Sequence, residues 1–193
     1  LKALTGMEFD DFMLLDKLNT PSDKLRDNPS KYLLYCDPFM GIFDAHITEG
    51  VNAYYKELYN KLSAIKATDD YKPYFESAAA LADVLSVKAE LGIKTRAAYL
   101  AGDTKALKCI AENDYTAAIE KLRSFHTKFR KFWFFENKPH GFDVQDIRLG
   151  GLIMRLESCR DRLLEFCDDT EKKIPELSEP VLEDERFRFW ENI

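Results

Sequence analysis

The chain has 193 residues, which is enough for one domain with its own hydrophobic core. Apolar residues make up 46% of it and aromatic residues 13%, a composition that excludes intrinsic disorder. The net charge of −6 argues against a nucleic-acid partner, and no apolar run is long enough to cross a membrane.

Residues 19–47 are predicted to be mostly irregular, because prolines and a glycine are spread among their aromatic residues. They nevertheless contain too many large apolar groups for a solvated linker: Tyr32, Leu33, Leu34, Phe39, Ile42 and Phe43. We therefore expect this segment to pack against the domain, where each buried large side chain contributes roughly 1.5–3 kcal/mol.

The first long helix is predicted at residues 51–65, where apolar residues recur at spacings of three and four. Thr48 is its expected N-cap, since a threonine hydroxyl can accept from an unpaired amide of the first turn. The apolar stripe includes Tyr54, Tyr55 and Tyr59. These rings could form a sugar-stacking platform, although packing in the core and at its edge is the favoured interpretation.

A second long helix is predicted from Asp69 or Asp70 to about Ala101. Gly92 should mark a kink or a close crossing within it. Asp103 is expected to cap a short helix that runs through Ala111.

The next helix is predicted to begin at Asp114 and to stop before Pro139, and Asp143 is expected to cap the last long helix. Inside that last helix, Gly150 and Gly151 are expected to admit a neighbouring backbone. The densest basic stretch is expected to be a solvated helix face rather than a phosphate-binding one: Lys121, Arg123, Lys128, Arg130 and Lys131.

These patterns contain neither strand alternation nor an internal repeat. The predicted fold is therefore all-α, a bundle of four to five long helices with short helices and the irregular aromatic-rich segment. We expect a single domain over residues 1–193. Its tail, from Ile174, carries prolines and acids and ends in a cluster of aromatic residues: Phe187, Phe189 and Trp190.

The four cysteines form no Cys-x-x-Cys pair. Cys159 and Cys167, if they share one helix, are separated by roughly 12 Å along its axis. That distance is too long for a disulfide. Reduced, largely buried thiols predict a cytoplasmic protein.

No catalytic set emerges from the ionisable residues. The three histidines, His46, His126 and His140, have no second histidine or cysteine at metal-ligand spacing, so neither a metal nor a cofactor is expected. His126 is expected to be a hydrogen-bonded structural residue. Carboxyl pairs can hydrolyse glycosides, but adjacent residues do not share a helix face, which argues against these pairs: Asp10–Asp11, Asp69–Asp70 and Asp168–Asp169.

Two stretches resemble a known family. Residues 28–44 have the sequence NPSKYLLYCDPFMGIFD, and residues 136–152 have the sequence ENKPHGFDVQDIRLGGL. Both are similar to the helical C-terminal domain that follows the catalytic barrel in one bacterial branch of glycoside hydrolase family 20, the exo-β-N-acetylglucosaminidases. The runs at residues 7–12 and 95–99 are compatible with this resemblance, which covers nearly the whole chain.

The resemblance implies a parent enzyme that removes terminal β-linked N-acetylglucosamine, or a close relative, from oligosaccharides. Its catalytic Asp–Glu pair would lie on a barrel, and this chain lacks the alternating strands and helices of a barrel. The chain also starts at Leu1, without an initiator methionine. We therefore expect a non-catalytic accessory domain excised from its parent, with the catalytic barrel of that parent as its partner.

The segment from Trp133 to Arg148 is the predicted functional surface. Consecutive residues on a helix point roughly 100° apart, so one core face cannot bury Trp133, Phe134 and Phe135 together. We predict an interface with the barrel or with a second subunit in a homodimer, near the rim of the active site, formed by these residues: Trp133, Phe135, Asn137, His140, Phe142, Asp146 and Arg148. The alternative is that this turn only joins two helices and that its aromatic rings close the end of the bundle.

The second functional hypothesis is a free-standing helical protein-interaction domain. In that case the family resemblance is accidental, and the acidic tail with its terminal aromatic residues docks a partner.

Overall fold

The computed structural model describes residues 2–21 and 28–181. Short 3-10 segments at Lys17–Asn19 and Asp44–His46 and a π-helical segment at Ile110–Tyr115 accompany the α-helices. No strand occurs within the described residues, and the all-α prediction is confirmed. The α-helices are α1 (Lys2–Thr5), α2 (Phe9–Asp16), α3 (Pro29–Tyr35), α4 (Val51–Ala64), α5 (Lys72–Lys88), α6 (Leu91–Leu100), α7 (Thr104–Cys109), α8 (Thr116–Glu136), α9 (Phe142–Asp168) and α10 (Pro175–Ser178).

The four long helices α4, α5, α8 and α9 form the bundle, as predicted. Helix α5 contacts both α4 and α8, and α8 contacts α9. Tyr54 and Tyr59 lie half-buried at the edge of the core, which confirms their expected position. The centre is filled by fully buried side chains from all four helices: Tyr55, Leu62, Leu85, Leu122, Leu156 and Leu163.

The predicted second long helix is wrong in its continuity, because it is broken between α5 and α6. Asn52 on α4 lies at the break and binds both sides of it. Its Nδ2 donates to the carbonyl of Val87 at 3.3 Å, and its Oδ1 accepts from the amide of Glu90 at 3.1 Å. The close crossing predicted at Gly92 is confirmed, since a Cβ there would lie 3.1 Å from the carbonyl oxygen of Pro38.

The predicted helix start at Asp114 is also wrong, because the backbone continues from α7 through the π-helical segment into α8. Leu107, Ala111 and Tyr115 are fully buried at a spacing of four residues. That spacing drifts by about 40° per step around an α-helix. The wider π-helical turn offsets the drift and keeps Tyr115 directed into the core.

Two helix N-caps were predicted in this part of the chain, Asp103 for α7 and Thr48 for α4, and only the first is confirmed. Asp103 caps α7 as predicted, with its carboxylate accepting from the amide of Ala106 at 2.9 Å. The expectation for Thr48 is wrong: the N-cap of α4 is Gly50, whose carbonyl accepts the first helical bond. A turn at residues 49–50 separates Thr48 from the helix.

Residues 28–47 are more regular than predicted, because α3 forms within them, and they pack on the domain as expected. Leu33 and Phe39 are fully buried. The buried ammonium of Lys88 donates to the carbonyls of Leu33 at 3.0 Å and Cys36 at 2.7 Å, which closes the C-terminal end of α3. Burial lowers the pKa of Lys88 to about 8.

Arg96 on α6 joins two distant segments to the bundle. The carboxylate of Asp44 lies 3.7 Å from its Nε in a buried ion pair. Gly41 has φ +64, and a Cβ there would lie 2.8 Å from Nη2, so only glycine fits beside the guanidinium. The guanidinium donates to four backbone carbonyls at 2.7–3.1 Å: those of Phe39, Glu176, Leu177 and Glu179.

The four cysteines are free thiols. Cys36 and Cys159 are buried as predicted, Cys167 is half-buried and Cys109 is exposed. Burial raises the pKa of Cys159 to about 12. A buried thiol of this kind is inert towards oxidation and disulfide exchange.

Candidate functional site

The turn between α8 and α9 is closed by two hydrogen bonds that involve side chains. Helix α8 ends before Pro139, as predicted. Gly141, with φ +93, is the N-cap of α9, which corrects the expected cap at Asp143. The carboxylate of Asp143 instead accepts from the amide of Gly141 at 3.0 Å. Trp133 holds the other side of the turn, because its Nε1 donates to the carbonyl of Lys138 at 3.2 Å.

Phe142 is the centre of an aromatic cluster beneath this turn and is only 3% exposed. This corrects its predicted place at the surface, since Phe142 supports the turn from below. The half-buried Trp133 closes the same end of the bundle. The ring of Phe142 lies 5.3–5.9 Å, between centroids, from four others: those of His126, Phe129, Trp133 and Phe134.

The rings of Phe134 and Phe135 remain at the surface. This confirms the prediction that at least one ring of Trp133, Phe134 and Phe135 would be exposed. Phe134 is 44% exposed and Phe135 is 51% exposed. They lie on different sides of α8, because Phe134 packs on Phe142 and Phe135 packs on Tyr74 with centroids 6.4 Å apart. A hydrogen bond to Glu136 raises the pKa of Tyr74 to about 12.

The other predicted interface residues are polar. Asp146 lies in the second turn of α9, and its Oδ1 lies 2.6 Å from Nε2 of His126. His126 is therefore hydrogen-bonded, as expected. Arg148 lies on another side, with its guanidinium 4.6 Å from the ring centroid of Tyr35. All of the polar residues are exposed: Asn137, His140, Asp146 and Arg148.

A further surface was missed in the sequence. We call it the outer face of α9, and it consists of Val144, Ile147, Gly151 and Met154. Its three large side chains are exposed, with Ile147 at 74%. Spacings of three, four and three residues place these positions on one side of the helix, opposite the buried stripe of the same helix. This spacing was visible in the sequence, but the stronger core stripe concealed it.

The glycine pair of α9 belongs to this surface. Gly150 and Gly151 lie inside the helix, as predicted, but no side chain or other backbone of the described residues comes within 4 Å of a Cβ built at either position. The expected neighbouring backbone is therefore not found among the described residues. Each glycine costs an exposed helix about 1 kcal/mol relative to alanine. Packing against the described residues does not explain that cost.

The basic stretch of α8 is a helix face, as predicted, with several of its charges paired. Lys121 lies 2.5 Å from Asp83, and Arg123 lies 2.9 Å from Glu157. These ion pairs use the positive charge that a phosphate group would need.

No group of three or more His, Cys, Asp and Glu residues within the described ranges could hold a metal ion. Asp10 and Asp11 lie in the first turn of α2, and Asp168 and Asp169 lie at the end of α9. Helices in the described part of the chain are all too short or too polar to span a membrane.

The comparison with protein families gives a match over residues 10–189 to the family described as Glycoside Hydrolase 20C C-terminal domain. The chain belongs to this family. A search among curated proteins found no match. Membership shows that the chain is a domain of a glycoside hydrolase and that it accompanies a catalytic domain in the same polypeptide.

Helix α1 lies against the connection between α4 and α5, where the hydroxyl of Thr68 donates to the carbonyl of Thr5 at 3.4 Å. The end of α8 lies on this side of the domain. Ring contacts with centroids 5.0–6.4 Å apart connect α2 to it, through these residues: Phe12, Tyr71, Tyr74 and Phe135.

Proposed function

We propose that this chain is a non-catalytic accessory domain that docks on the catalytic barrel of a bacterial, cytoplasmic enzyme. The enzyme removes terminal β-linked N-acetylglucosamine, or a related N-acetylhexosamine, from oligosaccharides. Family membership supports the glycosidase, and the two motifs at residues 28–44 and 136–152 support the sugar. The buried free thiols of Cys36 and Cys159 support the cytoplasm, where thiols stay reduced.

The docking proposal rests on the exposed apolar surface at the α8–α9 end. Monomeric proteins rarely expose contiguous apolar groups, and such groups with a polar rim commonly mark an interface. Asp146 and Arg148 supply polar groups beside them. Half of the exposed large apolar side chains of the described structure lie within residues 134–154: Phe134, Phe135, Val144, Ile147 and Met154.

The glycine pair supports a partner that comes close to α9. A residue without a side chain allows another backbone or a flat side chain to approach the helix axis. At Gly151 the flanking Ile147 and Met154 would then contact the partner on both sides. The cost of glycine in the helix is offset by contacts that form only in the assembled enzyme.

Two features favour the catalytic domain of the same polypeptide as this partner. The ring contacts from Phe12 to Phe135 connect the docking surface to the side where the preceding polypeptide arrives. The exposed Phe9 and Met13 on α2 extend the apolar surface on that side. A domain tethered there has a high effective concentration, so a modest apolar surface is enough for docking.

The free-standing interaction domain has less support. Its argument depends on the aromatic tail, and Phe187, Phe189 and Trp190 lie outside the described residues. The family match favours the accessory domain instead.

The docking is tested by Ile147→Asp in the full-length enzyme that carries this domain. We expect the cooperative thermal unfolding of the enzyme to separate into two transitions, because a charge at the centre of the interface is costly to bury. Leu100→Asp, at an apolar position 65% exposed on α6, is the matched control and should leave one transition. Unchanged unfolding in Ile147→Asp would reject docking at this face, and loss of a dimer by light scattering would assign the face to a second subunit.

The absence of catalysis in the domain is tested with the chain alone. We expect the purified chain to release no chromophore from a chromogenic N-acetylglucosaminide. Turnover at an enzymatic rate that a point substitution in this chain abolishes would overturn the accessory role.

A further inference from the structure

A cleft of about 480 Å³ lies on the side of the bundle where α4, α5 and α8 meet. We call it the α4–α5 cleft. Its volume falls in the range of small-molecule sites, roughly 300–1,000 Å³. It shares no residue with the α8–α9 end, and the docking described above makes no use of it.

The floor of the α4–α5 cleft is apolar and contains an aromatic ring. Leu62, Phe75 and Ala79 form its buried part. Tyr59 lines the cleft at the edge of the core, half-buried, with the ammonium of Lys56 5.0 Å from its ring centroid. A half-exposed tyrosine offers a flat apolar surface and a polar hydroxyl at the same place. The C–H faces of a pyranose ring suit such a floor.

The rim of the cleft carries both hydrogen-bond donors and acceptors. Its lysines and acids are equal in number, which favours a neutral ligand over a polyanion or a polycation. Ser63 and Ser124 add two hydroxyls that can donate or accept. The ionisable residues are three lysines and three acids: Lys66, Lys72, Lys128, Asp69, Glu76 and Asp83.

One ion pair crosses the cleft wall. Lys128 on α8 lies 3.4 Å from Glu76 on α5, so these two charges are held in place before any ligand arrives. Carboxylates that accept and ammonium groups that donate are the partners of neighbouring sugar hydroxyls, since each hydroxyl does both. A neutral polyhydroxy compound therefore matches this rim better than an ion does.

The cleft also lies beside helix α1 at the N-terminal side of the domain. Thr68, between the lining residues Ala67 and Asp69, is the residue that donates to Thr5 in α1. We propose that the α4–α5 cleft is a secondary saccharide site, which holds a neutral segment of an oligosaccharide near the enzyme that acts on it. The choice of saccharide rests on the proposed function, whereas the neutral polyhydroxy class follows from the rim.

The test is a titration of the ¹⁵N-labelled chain with a neutral disaccharide of N-acetylglucosamine, followed by two-dimensional NMR. Inorganic phosphate serves as the anionic comparison. We expect the disaccharide to shift the amide signals of residues 63–69 and 76–83, with phosphate producing no saturable shift there. Tyr59→Leu, Glu76→Gln and Asp69→Asn should each weaken the disaccharide about tenfold, the loss of one charged hydrogen bond or ring contact.

The control variant is Glu165→Gln, an exposed acid of α9 that is absent from the cleft lining. It should bind like the unchanged chain. Asp69 is exposed in a connection between helices, so Asp69→Asn keeps the fold even if substitution at Tyr59 disturbs it. The proposal is overturned if no cleft amide shifts at tens of millimolar disaccharide, if phosphate binds as well, or if Asp69→Asn and Glu76→Gln bind unchanged. None of these results changes what is expected for the thermal unfolding of Ile147→Asp. The saccharide site and the docking surface can therefore be rejected independently of each other.

Discussion

Residues 28–44 and residues 136–152 both carry the resemblance to the family, but their surroundings differ. The first segment is fixed by buried donors: Lys88 binds the end of α3, and Arg96 binds Phe39 and faces Asp44. The second segment buries Phe142, Leu149 and Leu152 but leaves Val144 and Ile147 exposed. The first motif is therefore held inside the fold of the domain, whereas the second leaves apolar side chains at the surface.

Arg96→Ala should have the largest effect. It leaves the carboxylate of Asp44 and four carbonyls without their donor in a buried site, and removal of one partner of a buried pair costs about 5 kcal/mol. Urea denaturation measures the loss. Arg123→Ala, in an exposed pair with Glu157, should cost less than about 1 kcal/mol. Equal effects of the two substitutions would contradict the structural role assigned to residues 28–44.

We expect the buried ring of Phe142 to stabilise the domain far more than the exposed ring of Phe135 beside the same turn. Phe142→Ala removes a buried ring from a cluster of four others and should destabilise the domain by about 4 kcal/mol. Phe135→Ala, at a ring 51% exposed, should cost less than about 1 kcal/mol in the same denaturation experiment.

The surface part is then tested in the full-length enzyme with Phe135→Ala and His140→Ala combined, because Phe142 must stay for the fold. We expect a higher KM or weaker subunit assembly, measured by kinetics and light scattering. Unchanged kinetics and assembly would reduce the turn to a connection between two helices.

Lys88 gives a pH test of the first motif. Its pKa is about 8 in the folded domain against an ordinary value of 10.5, because burial disfavours the ammonium. Between pH 8 and pH 10.5 the unfolded chain binds a proton that the folded chain has lost, so the contribution of Lys88 to the free energy of unfolding rises with pH, by up to about 3 kcal/mol.

The measurement compares the unchanged chain with Lys88→Met across that window, so that effects of pH common to both chains cancel. The free energy of unfolding of the unchanged chain minus that of Lys88→Met should increase from pH 8 to pH 10.5. The exposed Lys105→Met should give a flat difference. A flat difference for Lys88→Met as well would mean that Lys88 is hydrated in the folded domain.

The sequence predicted the four long helices because apolar spacing is local information, available from each segment by itself. The break before α6 was missed since it depends on Asn52, which is distant in the sequence from Glu90. Phe142 was predicted to lie in an interface, but it is buried by contacts with His126 and Phe129, which are distant from it in the sequence. The outer face of α9 was missed because its residues share a helix with a stronger core stripe.

Gly151→Ala should have the smallest effect on the stability of the domain. It tests whether a partner approaches the second motif. Among the described residues, no side chain and no other backbone lies within 4 Å of the added Cβ, and alanine is the better helix former. The domain should therefore become more stable by up to about 1 kcal/mol, measured by urea denaturation. In the full-length enzyme the same methyl group would occupy space that the partner needs, so the docked state should weaken and the two thermal transitions should begin to separate. Gly102→Ala is not a suitable control, because Gly102 has φ +65 and alanine would be strained there. The control is Ser158→Ala, at an exposed position two turns after Gly151 on α9. That control should change neither docking nor, beyond the small gain expected for alanine, stability. A gain in stability in both the chain and the full-length enzyme would show that nothing approaches α9 at Gly151, and the interface would then have to be confined to Phe134, Phe135 and the turn.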